Sequence, residues 1–255
     1  MAGLVMKEIV SLSHPLVQHL VKLKKSKEYR YQEKSLLLEG KNCIFDVTKK
    51  HKAKRILITQ EVHLPTECQA EEVIVVSKAI IEKISAVKSP DDIVAELCMP
   101  KESTLSFQKN IVALDGIQDP GNLGTIIRTA LALGWEGIFF IEPCCDPFND
   151  KALRAAKGAT FDCAFQHGSW KDFSELVAKN GYTILVADLQ GELPEAFIKE
   201  EKKALILGNE AHGVKPPNEL AYKKVTLLMN KEVESLNVAI AGAILMYALK
   251  ERCNS

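Results

Sequence analysis

The sequence predicts an α/β protein, a mostly parallel sheet layered with helices and preceded by a smaller α/β unit. Two observations carry this. Five apolar, β-branched runs recur through the second half, at 110–116, 137–142, 182–189, 203–210 and 224–229, with helical patterns between most of them. That alternation is the pattern of parallel strands buried on both faces. A polar, proline-containing stretch, "CMPKESTLSFQKN" at 98–110, separates these runs from a shorter alternation before it. The expected boundary lies near residue 103, giving domains 1–103 and 104–255.

The first half begins with "HPLVQHLVKLKKSKEYRYQEK", 14–34, which reads as one amphipathic helix with Leu16, Leu20 and Leu23 at helical spacing. A short strand is expected at 35–38, a helix at about 41–50 and a strand at 55–59. "EEVIVVS", "KAIIEKIS" and "DDIVAEL" then read as strand, helix and strand. In the second half, helices are expected at about 122–133, 150–157, 170–179 and 236–251. No internal repeat or low-complexity segment is visible.

Composition limits the function classes. The 255 residues are 47% apolar and 26% charged, as in ordinary globular proteins. No apolar run reaches membrane-span length, and "MAGLVMKEIVSLSHP" has no signal-peptide h-region, so a cytoplasmic location and no membrane partner are expected. The seven cysteines are scattered without a C-x-x-C, and the six histidines lack a ligand spacing. Neither a disulfide framework nor a metal site is expected. Net charge is zero but unevenly placed: residues 1–60 carry 13 Lys and Arg against 5 Asp and Glu. Lys22, Lys24, Lys25, Lys27 and Arg30 interleave with Tyr29 and Tyr31, and Lys49, Lys50, Lys52, Lys54 and Arg55 form a second cluster. Such clusters are either solvated faces or polyanion-binding surfaces. The tyrosines favour nucleic acid, because bases stack on aromatic rings.

Three strands end in unusual loops, where ligands of open α/β sheets collect. The first reads "LDGIQDPGNLGTIIRTA". Asp119-Pro120-Gly121 is a turn signal, Asn122 can cap the next helix, and Gly134 can end it. Arg128 is the one charged side chain between Pro120 and Trp135, which predicts an inward arginine needing a partner. The second loop, "LILGNEAHGV", brackets Asn209 and Glu210 with Gly208 and Gly213. Glu210 either meets the helix dipole or pairs with a cation, for which Arg128 is the natural candidate. In the third, "LLMNKEVESLNVAIAGAILMYALKER", Ser235 and Asn237 can cap a helix, hold a ligand, or both. The small residues Ala239, Ala241, Gly242 and Ala243 permit close approach to a ligand, a helix or a second subunit. Neither a G-x-G-x-x-G turn nor a phosphate loop is present, which excludes ordinary dinucleotide and nucleoside-triphosphate sites.

In order and separation, "DPGNLGTIIRTA", "LILGNEAHGV" and "VESLNVAIA" resemble the three motifs of the SpoU–TrmH branch of the SPOUT RNA methyltransferases, over residues 110–251. "LLLEG", 36–40, is similar to the entry of that family's ribosomal-protein-like substrate-binding domain. The resemblance implies a deep trefoil knot in the α/β domain, an exception to the no-knot rule. It also implies a homodimer, and a S-adenosylmethionine pocket formed by the knotted loops near the interface. The implied reaction is methylation of a ribose 2′-hydroxyl, in ribosomal RNA first and transfer RNA as the alternative, with a non-catalytic RNA-binding ribosome-assembly role as the rival. Arg128, Asn122, Glu210, Ser235 and Asn237 are the implied catalytic residues. Leu207, Gly208, Leu227, Met229, Leu236 and Asn237 are the implied cofactor-binding residues. The chain departs from the family in "LLM", 227–229, where Ile-Pro-Met is common, and at Lys231, where a glycine is common.

Overall fold

The computed structural model describes residues 7–209, 212–230 and 232–250. The chain divides into two compact units. One takes in the chain up to Pro100 together with Asp146–Phe161; the other takes in Lys101–Cys145 and the chain from Asp162 onward.

The first unit opens with β1 (Lys7–Ile9), α1 (Pro15–Lys25), α2 (Lys27–Glu33), β2 (Ser35–Glu39) and α3 (Lys41–Lys50). It continues with β3 (Ala53–Ile58), β4 (Ala70–Val76), α4 (Lys78–Ile84) and β5 (Ile93–Cys98). The single helix expected over 14–34 is two helices. Ser26 adopts an extended conformation, closes α1 by donating its N–H to Lys22 O, and caps α2 by accepting from Tyr29 N. A serine hydroxyl competes in this way with helix continuation. The sheet order is β1-β4-β3-β5-β2, parallel from β1 to β3, with β5 antiparallel to both neighbours. One face packs Leu37, Leu57, Ile74 and Val94 against Val17, Leu20 and Leu23 of α1 and Ile80, Ile81 and Ile84 of α4.

A charged ladder runs across the same sheet. Lys7 donates to Glu72, Glu72 accepts from Arg55 at 3.3 Å, and Arg55 donates to Glu96 at 2.6 Å. Glu96 is 1% exposed and also bonds Ser35 and His19. Burial pushes its carboxyl up, yet the bonds from Arg55 and His19 outweigh that and hold it below the usual range.

The second unit contains β6 (Asn110–Asp115), α5 (Pro120–Ala132) and β7 (Gly137–Ile141). After α6 (Asp150–Ala156) and α7 (Ala159–Asp162), which up to Phe161 belong to the first unit, come β8 (Ala164–Gly168), α8 (Trp170–Asn180) and β9 (Thr183–Glu192). A 3-10 turn at Pro194–Phe197, β10 (Lys203–Gly208), β11 (Lys223–Val225) and α9 (Val238–Ala248) complete it. The six strands are all parallel in the order β11-β9-β10-β6-β7-β8. Ile111–Leu114 and Ala204–Leu207 are buried on both faces, as parallel strands between helices require. Phe173 and Val177 of α8 cover one face. On α9, a Cβ added at Gly242 would come 2.5 Å from Leu207 Cδ1, so the small residue lets the helix close onto β10. Strand β8, "AFQHG", carries too little apolar alternation to be read from sequence.

Candidate cofactor and active site

The carboxyl ends of β9 and β10, the chain after β11 and the start of α9 enclose a cavity of about 430 Å³. That is within the range of about 300–1,000 Å³ typical of small-molecule sites. Leu207, Gly208, Leu227, Met229, Leu236 and Ser235 all line it, which brings together five of the six cofactor residues expected from sequence and one catalytic candidate. Asn237, the sixth, is flanked by two lining residues, Leu236 and Val238. Gly208 is fixed by sterics: a Cβ there would meet the Gly213 carbonyl carbon at 2.5 Å. Asn209 holds the adjacent loop by donating Nδ2 to Gly116 O at 3.1 Å. This chain's "LLM" places Leu227 and Met229 at the wall, so the departure from Ile-Pro-Met leaves an apolar lining intact.

The first and third motifs meet through their asparagines. Asn237 is the N-cap of α9, its Oδ1 accepting from Ala239 N and Ile240 N. Its Nδ2 is left to donate to Asn122 Oδ1 at 3.0 Å. Asn237 therefore caps and bridges at once. Asn122 itself is not the cap of α5. Asp119 is, accepting from Asn122 N at 2.9 Å. The shorter Asx-Pro turn starts the helix three residues earlier, and this frees the Asn122 side chain for Asn237.

The inward position expected for Arg128 is corrected. Helix α5 buries Leu123, Ile126, Ile127 and Ala130. At about 100° per residue Arg128 falls beside exposed Thr125 and Leu131, and it is itself exposed. Among the described residues it makes no hydrogen bond or ion pair. Leu131 on α5 is an exposed apolar side chain, as are Ile240, Ile244 and Tyr247, one turn apart along α9. Glu210 and Lys231 lie outside the described residues.

Arg30 is corrected in the opposite sense. It lies in the basic cluster but is 6% exposed. Its guanidinium donates to Leu23 O and, at 2.5 Å, to Asp146. Lys24 likewise serves the fold, donating to Lys83 O and Ser85 O at the end of α4. Lys22, Lys25 and Lys27 stay exposed.

Sequence reasoning missed Asp188, which lines the cavity from within β9. Burial pushes its carboxyl up, but the bond from Lys224 at 2.8 Å reverses this and holds it low, so it is ionised at neutral pH. The available signal was an acidic residue directly after the apolar run of a strand, in "ILVADL".

The apolar walls, the close backbone at Gly208 and the Asp188 carboxylate suit a ligand with a flat apolar moiety and cationic or hydroxyl donors. The comparisons agree with that chemistry. The family model described as "SpoU rRNA Methylase family" matches residues 109–247, and an "MRM3-like substrate binding domain" matches residues 14–95. The chain is similar to the 23S rRNA (guanosine(2553)-2′-O)-methyltransferase RlmP of Bacillus subtilis, 31% identical over 96% of this chain and all of that protein. It is also similar to rRNA methyltransferase 3A, mitochondrial, of Danio rerio, 26% identical over 88% of this chain and 65% of that protein. An AdoMet-bound rRNA methyltransferase from Sinorhizobium meliloti superposes with a TM-score of 0.83 at 28% identity, covering 96% of this chain and 97% of that one. The motif residues gathered at this cavity and the match over more than half its length agree: the chain belongs to the SpoU rRNA methylase family.

Proposed function

We propose that the protein is a S-adenosylmethionine-dependent RNA ribose 2′-O-methyltransferase acting on ribosomal RNA. The observation that carries this reading is the cavity, walled by residues of the second and third motifs, with the Asn122–Asn237 bond joining first to third beside it. Leu207, Leu227, Met229 and Leu236 would hold the adenosine, and Asp188 would accept from the ligand's ammonium or hydroxyl groups. S-adenosylmethionine supplies a methyl group already activated by its sulfonium. The chain's own part is then alignment and a better nucleophile. Arg128 binds the target phosphate and polarises the 2′-hydroxyl, or takes its proton; its exposed stance suits a partner that arrives with the RNA. Asn122, Ser235 and Asn237 orient the reacting groups, and Glu210 orients the guanidinium.

RNA is held by the basic first unit. The exposed lysines 22, 25 and 27 meet phosphates, and Tyr31, with Lys27 5.5 Å from its ring centroid, offers an aromatic face. Affinity for RNA should fall steeply with salt, by about 0.7–0.9 log units per log unit of salt for each phosphate contact. A homodimer forms through the second unit. The exposed stripe Ile240, Ile244 and Tyr247, with Leu131, is the apolar surface a second copy would cover. The trefoil knot and a cytoplasmic location belong to the same reading; among the described residues no helix is long and apolar enough to cross a membrane. The test is transfer of tritiated methyl to purified ribosomal RNA and, separately, transfer RNA. Label in ribosomal RNA, resistant to alkaline cleavage at the modified position, is expected. Label in transfer RNA alone would overturn the substrate, and label in neither would overturn the enzyme.

A further inference from the structure

Strand β9 bulges where it walls the cofactor cavity. Lys224 of β11 faces Val186, but the next residue, Val225, faces Glu192, so residues 187–191 stand out of the pairing between the two strands. Bulges beside active sites re-aim side chains, and Ala187, Asp188 and Leu189 line the cavity from this one. The chain of β11 and the residue after it hold the bulge in place. Thr226 donates Oγ1 to Leu189 O at 3.1 Å and its N–H to Glu192 O at 3.0 Å. Gly191 allows the close approach, because a Cβ there would come 2.5 Å from Lys224 O. Lys224 itself donates Nζ to Asp188 Oδ2 at 2.8 Å, and Gln190 N donates to Asp188 Oδ1 at 2.9 Å.

Among the described residues that line the cavity, Asp188 is the one carboxylate. Its charge is already met by Lys224. A ligand ammonium placed on the same carboxylate would sit beside the Lys224 ammonium, and like charges that close repel. A neutral hydroxyl meets no such repulsion. An ionised carboxylate offers about four acceptor sites, so both oxygens keep room for a second donor. Two adjoining acceptors on a fixed carboxylate match two hydroxyls on neighbouring carbons. We propose that Asp188, held in place by Lys224, receives the paired ribose hydroxyls of S-adenosylmethionine and leaves its ammonium to other groups. Lys224 is then a positioning residue that acts through Asp188. The proposal rests on the cofactor reading above and narrows it to the donors that meet this carboxylate.

The test is calorimetric binding of two probes to the full-length protein. One is 5′-methylthioadenosine, which has the ribose hydroxyls and lacks the ammonium; the other is its 2′,3′-dideoxy derivative, which lacks both. The wild type should bind the first about tenfold tighter or more, the range for hydrogen bonds to a charged group. Asp188→Ala should bring this ratio to about one, and Lys224→Met most of the way there, while Lys224→Arg should keep it. Lys224→Met added to Asp188→Ala should change nothing further, because the two residues act as one contact. A general loosening of the fold weakens both probes alike and does not move the ratio. No preference in the wild type, or a preference that survives Asp188→Ala or Lys224→Met, would overturn the proposal. Variants that weaken S-adenosylmethionine binding but keep the ratio would give Asp188 to the ammonium and overturn it too. Wild-type protein that binds S-adenosylmethionine with a ratio of one would overturn the proposal alone. Wild-type protein that binds neither S-adenosylmethionine nor the probes would overturn the cofactor reading and the proposal with it.

Discussion

Two arginines exchange the places their neighbourhoods suggest. Arg30 stands among four lysines in the most basic stretch of the chain, yet it is buried against Asp146, 116 residues away. Arg128 is the lone charge of an apolar helix, yet it is exposed and makes no ion pair among the described residues. Local charge density predicted neither. What decides burial is the helix face and the partner that the fold brings to it. Arg30 meets two backbone carbonyls and a carboxylate that is itself buried. Arg128 points away from the face that α5 packs inward. The buried arginine holds structure; the exposed one makes no contact that the fold needs among the described residues.

The comparison is sharpened most by Arg128→Ala. Turnover should fall by about 10²–10⁴-fold, the range for loss of a group acting on proton transfer. S-adenosylmethionine affinity, measured by calorimetry, should stay at the wild-type value. Retained turnover would return Arg128 to the solvated surface. Asn237→Asp comes next. It keeps the capping oxygen that accepts from Ala239 N and Ile240 N but loses the Nδ2 donor to Asn122. Thermal stability should drop little, because Asp and Asn cap almost equally. Turnover should fall at least about tenfold if the motif contact positions the reacting groups. A pH effect in the first unit is smaller. The Glu96 carboxyl is held below its ordinary value of 4.5, so the stability it contributes is present above that pH and is lost as pH falls through the lower folded value. Unfolding followed from pH 6 to 3 should show this loss, and Glu96→Gln should flatten it.

The three motifs were legible because each is a local run whose spacing survives in the sequence. The family they resemble marks Leu207, Gly208, Leu227, Met229 and Leu236 as cofactor-binding and Ser235 as catalytic, and all six line one cavity. The alternation of strands also gave the parallel sheet, since buried β-branched runs are visible one at a time. What could not be read depended on distant pairs. Asp146 and its helix α6 join the first unit although they follow β7 in the chain, and nothing in "CCDPFND" names Arg30 as partner. Asp119 rather than Asn122 caps α5 because two Asx residues three positions apart can each start the helix, and Asp119 accepts from Asn122 N. Asp188 was passed over because a single acidic residue after an apolar run is common.

The division of labour between the two arginines is tested most directly by equilibrium urea unfolding of Arg30→Ala and Arg128→Ala beside the wild type. Arg30→Ala should cost about 3–5 kcal/mol, because it strands Asp146 as a buried charge without its partner. Arg128→Ala should stay within about 0.5 kcal/mol of wild type, as exposed substitutions do. Destabilisation of Arg128→Ala by several kcal/mol would contradict the account, because it would make that arginine part of the fold.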